Sequence, residues 1–350
     1  MPSVVIKSST GKTKFKYTIS TPKNPSSKTI DKKLPTVLFI PAVYLQRDVF
    51  HLQFGDPKLR RFNLITFDLR AHGETTGDDL PPNYGQRESA EDVVKLMEAL
   101  KLPACHIVGM SLGSIIAFQM AITYPEKVAS LFLISPLGLE EPEDVTTARV
   151  EIYNLWTEGF LCSSSSSSPS SNTDDSPLHD ALYGALQFAF SNKTTSLTTA
   201  YATKFLPLAK KNWSPAHFDN FHRATVDFFT KRRRHTMEEL RGIKVKVSLV
   251  HGMDDVPYGV EYSEEQERML KEAGVDVALD RVVGAPHFVV VDGKMEVNQL
   301  IHDFVLDNSP TNGKNTSIPP ASSIVSPWDE VMRKAGWVPE HEEDDDLVFH

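Results

Sequence analysis

The sequence has almost no cysteine. Two thiols, Cys105 and Cys162, among 350 residues make neither a disulfide framework nor a zinc ligand set. It also lacks any apolar run near the 18 residues that a membrane helix requires. The segment Met1-Pro2-Ser3-Val4-Val5-Ile6-Lys7 does not set basic residues before a long apolar stretch, so no secretory leader is expected. Basic charge is in the minority, with 37 Lys and Arg against 46 Asp and Glu, net −9. That argues against nucleic acid or an anionic membrane as the main partner. Residues 307–350 hold nine acids and three bases, which leaves only −3 on residues 1–306. The charge therefore says little about what the body of the protein binds. What remains is ordinary globular composition, 40% hydrophobic and 24% charged, long enough for a sizeable core. A cytoplasmic protein without a membrane span is expected, and no internal repeat is visible.

Short apolar runs recur at 36–40, 64–67, 106–109 and 131–135. Four or five β-branched and aromatic residues without polar alternation predict strands buried on both faces, as in a parallel sheet. Between them, Val93, Leu96, Met97 and Leu100 fall on one helix face, with Ser89 and Asp92 as a candidate capping pair. A second helix is expected from Leu112 to Thr123, stopping at Pro125. Strands at 244–251 and 278–283 and helices at 261–273 and around Val297–Phe304 resume the alternation, which predicts an α/β sheet. The stretch 141–240 breaks it, with helical candidates at 179–190 and 215–231 and a serine run, Ser163 to Ser168, read as a flexible loop. Four parts follow: a core over 1–140 and 241–306, a helical insertion over 141–240, and an acidic, largely disordered tail over 307–350.

The sharpest motif is Gly109-Met110-Ser111-Leu112-Gly113 between a buried strand and a helix. A nucleophilic serine needs a tight turn with small flanks, and the helix N-terminus behind it favours developing negative charge. A hydroxyl also needs a base, and the base an orienting acid, here in the chain order Ser, Asp, His. The strand 244–251 runs into Gly252-Met253-Asp254-Asp255. Of the two acids, Asp255 is favoured over Asp254, because Gly-x-x-Asp leaves a short turn before the carboxylate points inward. The base is expected in Gly284-Ala285-Pro286-His287-Phe288, after the last strand. His251 reads as a strand-end residue near the site, and His302 as a solvent-facing helix residue.

Together, these residues and Phe67-Asp68-Leu69-Arg70-Ala71-His72-Gly73 resemble the α/β-hydrolase fold family over about 30–140 and 241–306. The resemblance implies an eight-stranded, mostly parallel sheet with an inserted helical lid. It also implies a catalytic Ser111–His287–Asp255 triad and an oxyanion hole made by the backbone N–H groups of Leu112 and Val43. No metal or organic cofactor is implied. The sequence departs from the family at Ile40-Pro41-Ala42-Val43-Tyr44, where many members carry His-Gly. Serine at the nucleophile position argues against dehalogenases and epoxide hydrolases, which carry Asp there. Asp68, Arg70 and His72 read as a hydrogen-bonded turn.

The expected activity is hydrolysis of an ester, thioester or lactone of a small to medium apolar substrate, with Trp156, Phe160, Tyr183, Phe188, Phe190 and Trp213 as candidate pocket walls. Carbon–carbon bond hydrolysis or acyl transfer on the same triad, and a slow ligand-binding receptor, are the alternatives. Lys231-Arg232-Arg233-Arg234-His235 reads as a solvated helix end. Two glycosylation-like triplets, at Asn192 and Asn315, carry little weight. In the tail, Trp328, Val331, Met332 and Ala335 share a helical face.

Overall fold

The computed structural model describes residues 2–165, 176–191, 193–309 and 324–339. The serine run after Ser165, Asn192, Asn315 and the acidic run 340–346 lie outside them.

Eight strands form the body of one sheet: β1 (Ser3–Ser8), β2 (Gly11–Thr21), β3 (Thr36–Ile40), β4 (Asn63–Phe67), β5 (Cys105–Met110), β6 (Val128–Ile134), β7 (Val247–Gly252) and β8 (Val277–Val282). Their spatial order is β1-β2-β4-β3-β5-β6-β7-β8, and two short strands, Asn24–Ser27 and Thr76–Gly77, pair with β2. Only β2 runs against its neighbours; from β4 onward every pairing is parallel. The central strands are buried on both faces because side chains alternate between two cores. Leu38, Ile40, Ile107, Leu131 and Leu133 point into one, and Val37, Phe39, Val108, Phe132 and Ile134 into the other.

Helices α1 (Gln86–Ala99), α2 (Leu112–Thr123) and α6 (Val260–Glu272) cover the first face, and α7 (Lys294–Asp307) the second. Helix α1 starts earlier than the Ser89–Asp92 pair suggests. Gly85 precedes its first turn, and Glu88 reaches back to accept the Gly85 N–H at 3.1 Å. Ser89 instead bonds the Gly85 carbonyl from inside the helix.

Between β6 and β7 the chain leaves the sheet as helices α3 (Glu143–Ser165), α4 (Ser176–Phe190) and α5 (Ser196–Asn212). A broken helical stretch, Phe218–Thr230, with a π-turn at Arg223–Asp227, and a short helix at Met237–Arg241 follow. Most of the aromatics proposed as pocket walls form the interior of this insertion. Trp213 stacks on Phe221 and meets Trp156 edge-on; the Trp156 indole N–H donates to Trp213 O and the Trp213 indole N–H to Ala71 O, both at 2.8 Å. Phe188 and Tyr183 both line a surface cleft, Tyr183 with more than half of its surface exposed.

Part of the tail expected to be disordered is folded. Residues 324–339 form a short helix, α8 (Asp329–Lys334), that buries Trp328 against Phe54 and sets Trp337 edge-on to His51. His302 is packed on Phe62 rather than facing solvent. The basic run also departs from a solvated helix end. Arg232 is buried, while Arg233 and Arg234 meet Glu239 and Glu265 at the surface.

Buried histidines make the fold acid-sensitive. Burial pushes the imidazoles of His51, His72, His106 and His235 down to about 4. His72, for example, donates Nδ1–H to the Arg70 carbonyl at 2.9 Å and holds its other nitrogen without a partner. The unfolded chain takes up protons at these sites below an ordinary histidine pKa, and the folded chain does not until near 4. Stability is therefore lost as pH falls through this window, by up to about 1.4 kcal/mol per pH unit for each histidine. Urea midpoints measured from pH 7.5 down to 4.5 should decline continuously; a flat profile would contradict this account.

Candidate active site

The carboxyl ends of parallel strands converge on one edge of the sheet, where ligands bind in open α/β folds. Ser111 follows β5 directly. Its φ is +52°, and its N–H donates to Ile134 O at 2.9 Å. Glycine on either side permits the turn. A Cβ at Gly109 would overlap the Gly113 carbonyl, and one at Gly113 the carbonyls of Ile40 and Pro41. The loop after β3 thus crosses directly over the start of α2.

Asp255 lies three residues past β7 on a turn closed by its own N–H to Gly252 O at 3.0 Å. The Asp254 N–H donates to Ala285 O at 2.9 Å, tying this turn to the loop after β8 that carries His287. His287 Nδ1–H donates to Asp255 Oδ2 at 2.6 Å, and Ser111 Oγ–H donates to His287 Nε2 at 2.9 Å. The second Asp255 oxygen accepts the Tyr258 N–H at 3.0 Å, so both lone-pair faces of the acid are used. Asp254 points away, its side chain 52% exposed beside Lys193. His251 bonds Ser263 at 2.9 Å and is not part of the chain.

The other two named positions sit around Ser111. Leu112 is the first residue of α2, and Val43 lies in the loop that overlies Gly113. Among the described residues, neither backbone N–H has a protein acceptor. Tyr44, next to Val43, holds a left-handed φ of +67°. Asp68, Arg70 and His72 are held in a turn. The Asp68 carboxylate accepts the Arg47 side chain and the N–H groups of Arg47 and Glu74, and Arg70 bonds Thr10 and Asp78 O.

Ser111 is only 1% exposed. A cleft of about 370 Å³ opens between α3, α4 and Val256–Pro257, just past Asp255, but Ser111 does not line it. Near the site, sequence reasoning missed Glu141, Arg149 and Tyr258. They form a buried ionic cluster with Arg232, and the Tyr258 ring lies 5.2 Å from that of His287. A charged residue on an amphipathic helix reads as solvated from sequence, so only the register of α3 against the core reveals Arg149. No cluster of metal-binding side chains is present among the described residues, and no helix among them is long and apolar enough to cross a membrane.

Residues 35–161 match the family model described as alpha/beta hydrolase fold. A protein named as a carbamate hydrolase, RutD, of Caulobacter vibrioides is 32% identical over 83 residues, 24% of this chain and 30% of that protein. The chain thus spans about 30% of the length of such curated relatives. Two solved structures are similar over most of their length. A thermophilic esterase from Thermogutta terrifontis has a TM-score of 0.65 at 15% identity, covering 89% of this chain and 100% of its own. The enol-lactonase from Burkholderia xenovorans LB400 has a TM-score of 0.58 at 15% identity, covering 87% and 99%.

Proposed function

Because the chain has the α/β-hydrolase fold, we propose that it is a serine hydrolase that cleaves an ester, thioester or lactone through an acyl-enzyme. The observation that carries this reading is the unbroken hydrogen-bond chain Ser111–His287–Asp255 on a strained strand-to-helix turn. His287 Nε2 takes the Ser111 proton as Oγ attacks the acyl carbonyl, then returns it to the leaving oxygen or sulfur. Asp255 fixes the tautomer that leaves Nε2 free to accept and stabilises the imidazolium. The N–H groups of Leu112 and Val43 receive the oxyanion, each contributing roughly 3–4 kcal/mol. Water activated by His287 then releases the acid. Carbamate, ester and lactone cleavage, named among the similar proteins, all proceed through attack on an acyl carbon.

Phosphonylation tests the nucleophile directly. A fluorophosphonate should add one label per chain by intact mass, mapped to Ser111 and absent in Ser111→Ala. Folded protein that takes no label would refute the assignment. The buried position of Ser111 favours a second reading, a ligand-binding receptor that keeps the triad and turns over slowly. Steady-state turnover of the acyl-enzyme at a rate matching its formation would exclude that reading.

A further inference from the structure

The insertion and the core share a buried charge cluster that the proposed reaction leaves unused. Glu141 accepts from Arg149 Nε at 2.6 Å and from Arg232 Nη1 at 2.5 Å. Tyr258 Oη donates to the same carboxylate at 2.8 Å and accepts from Arg149 Nη2 at 2.9 Å. Two guanidinium groups share one carboxylate, so the cluster holds one cation in excess. Asp255 pairs with neither guanidinium; its oxygens meet His287 and the Tyr258 N–H.

Two polar groups in this cluster lack an aligned partner. Arg149 is 1% exposed, and its Nη1 is unpartnered. Tyr44 Oη, on a residue 4% exposed, sits within hydrogen-bonding reach of Arg149 and Thr225 without an aligned bond to either. Leaving a buried donor unmet is costly, and more so when it is charged. Such groups point to a partner that the protein alone does not provide.

The surroundings limit where that partner sits. Phe229 covers one face of the Arg149 guanidinium at 3.5 Å, and Phe188 lies 5.3 Å from it. Contact is left to the in-plane edge at Nη1, where a carboxylate binds. On one side, Tyr258 packs on His287; on the other, Tyr44 follows Val43 in the loop over Ser111. Arg149 is thus bonded to the tyrosine that packs on the base, and Tyr44, edge-on to Trp213, belongs to the loop over the nucleophile.

We propose that Arg149 Nη1 and Tyr44 Oη form a carboxylate subsite beside Ser111, so that the preferred substrate carries a free carboxylate a few atoms from the scissile carbonyl. The substrate preference rests on the hydrolase reading above; the binding site does not. One substrate oxygen meets each donor, and the buried cluster becomes two cations against two anions.

Matched probes test this in the full chain. Mono-p-nitrophenyl glutarate and its methyl ester present the same scissile bond with and without the charge. After subtraction of the uncatalysed rates, kcat/KM should favour the acid by about tenfold or more, the factor that one charge-assisted hydrogen bond supplies. Arg149→Gln should bring the ratio to about one, and Tyr44→Phe should lower it by a smaller factor. A ratio of one in the parent chain overturns the subsite, as does an Arg149→Gln variant that slows both esters equally. If Arg149→Gln does not fold, Tyr44→Phe carries the same comparison.

Calorimetry on Ser111→Ala provides a readout independent of turnover. Monomethyl glutarate should bind about tenfold or more tightly than dimethyl glutarate; equal binding, or none, overturns the subsite. Tight binding with neither ester cleaved supports the subsite and faults the hydrolase reading. Cleavage of both esters without preference does the reverse.

Discussion

Replacing Ser111 by alanine is expected to lower kcat for ester turnover by about 10⁴-fold or more while the protein stays folded. The hydroxyl is the only atom lost, and its partner, His287 Nε2, lies at the reacting centre rather than in the load of the fold. The turn that holds it is fixed elsewhere, by the Ser111 N–H on Ile134 O and by the close approach of Gly113 to the Ile40–Pro41 carbonyls. A urea midpoint near that of the parent, together with the collapsed rate, separates loss of chemistry from loss of structure. Ester hydrolysis at a near-parental rate would end the mechanism.

The second large effect is expected at Asp255→Asn, with kcat down by about 10⁴-fold. The amide can still accept the Tyr258 N–H through one oxygen. Its NH₂ then faces His287 Nδ1, which has to become the acceptor. That moves the imidazole proton to Nε2, the atom that must receive the serine proton. The same change at Asp254 should leave the rate near that of the parent, since that side chain is half exposed and does not touch His287. Steady-state rates of the two variants side by side decide between the adjacent acids; a larger loss at Asp254 would reassign the orienting role.

Much of this architecture is legible in the sequence because its signals are local. Buried strands 36–40 and 105–110 announce themselves as unbroken apolar runs, and the Gly-x-Ser-x-Gly spacing is a direct imprint of a turn that tolerates no side chain at Gly109 or Gly113. The first two strands escaped for the opposite reason. In β2, Lys12, Lys14 and Lys16 alternate with Thr13, Phe15 and Tyr17, so one face is charged and no apolar run appears. That alternation is itself a strand signal for a half-buried pair. The Arg149–Glu141–Arg232 cluster could not be read locally. Its members are 8 and 91 residues from Glu141, and each looks like an ordinary surface charge until the insertion folds onto the core. Trp328 and Met332 show the same limit. Their helical spacing is visible, but the groove at Phe54 that receives Trp328 is built from distant chain.

The docked segment 324–339 also bears on how a substrate could enter. It grips the core through Ser326 on His51 and through Arg60 on Val325 O, and it grips α5 through mutual bonds of Ser196 and Val338. Tyr201 of α5 is bonded in turn to Val49 O. Helix α5 is thus riveted at two points to the frame of the doorway. The far end of α4 is fixed as well, where the Phe288 N–H meets Ala189 O. Helix α3 is tied in as well, by the Trp156 N–H on Trp213 O and by Arg149 on Tyr258, so an opening that keeps the α5 contacts has to break both.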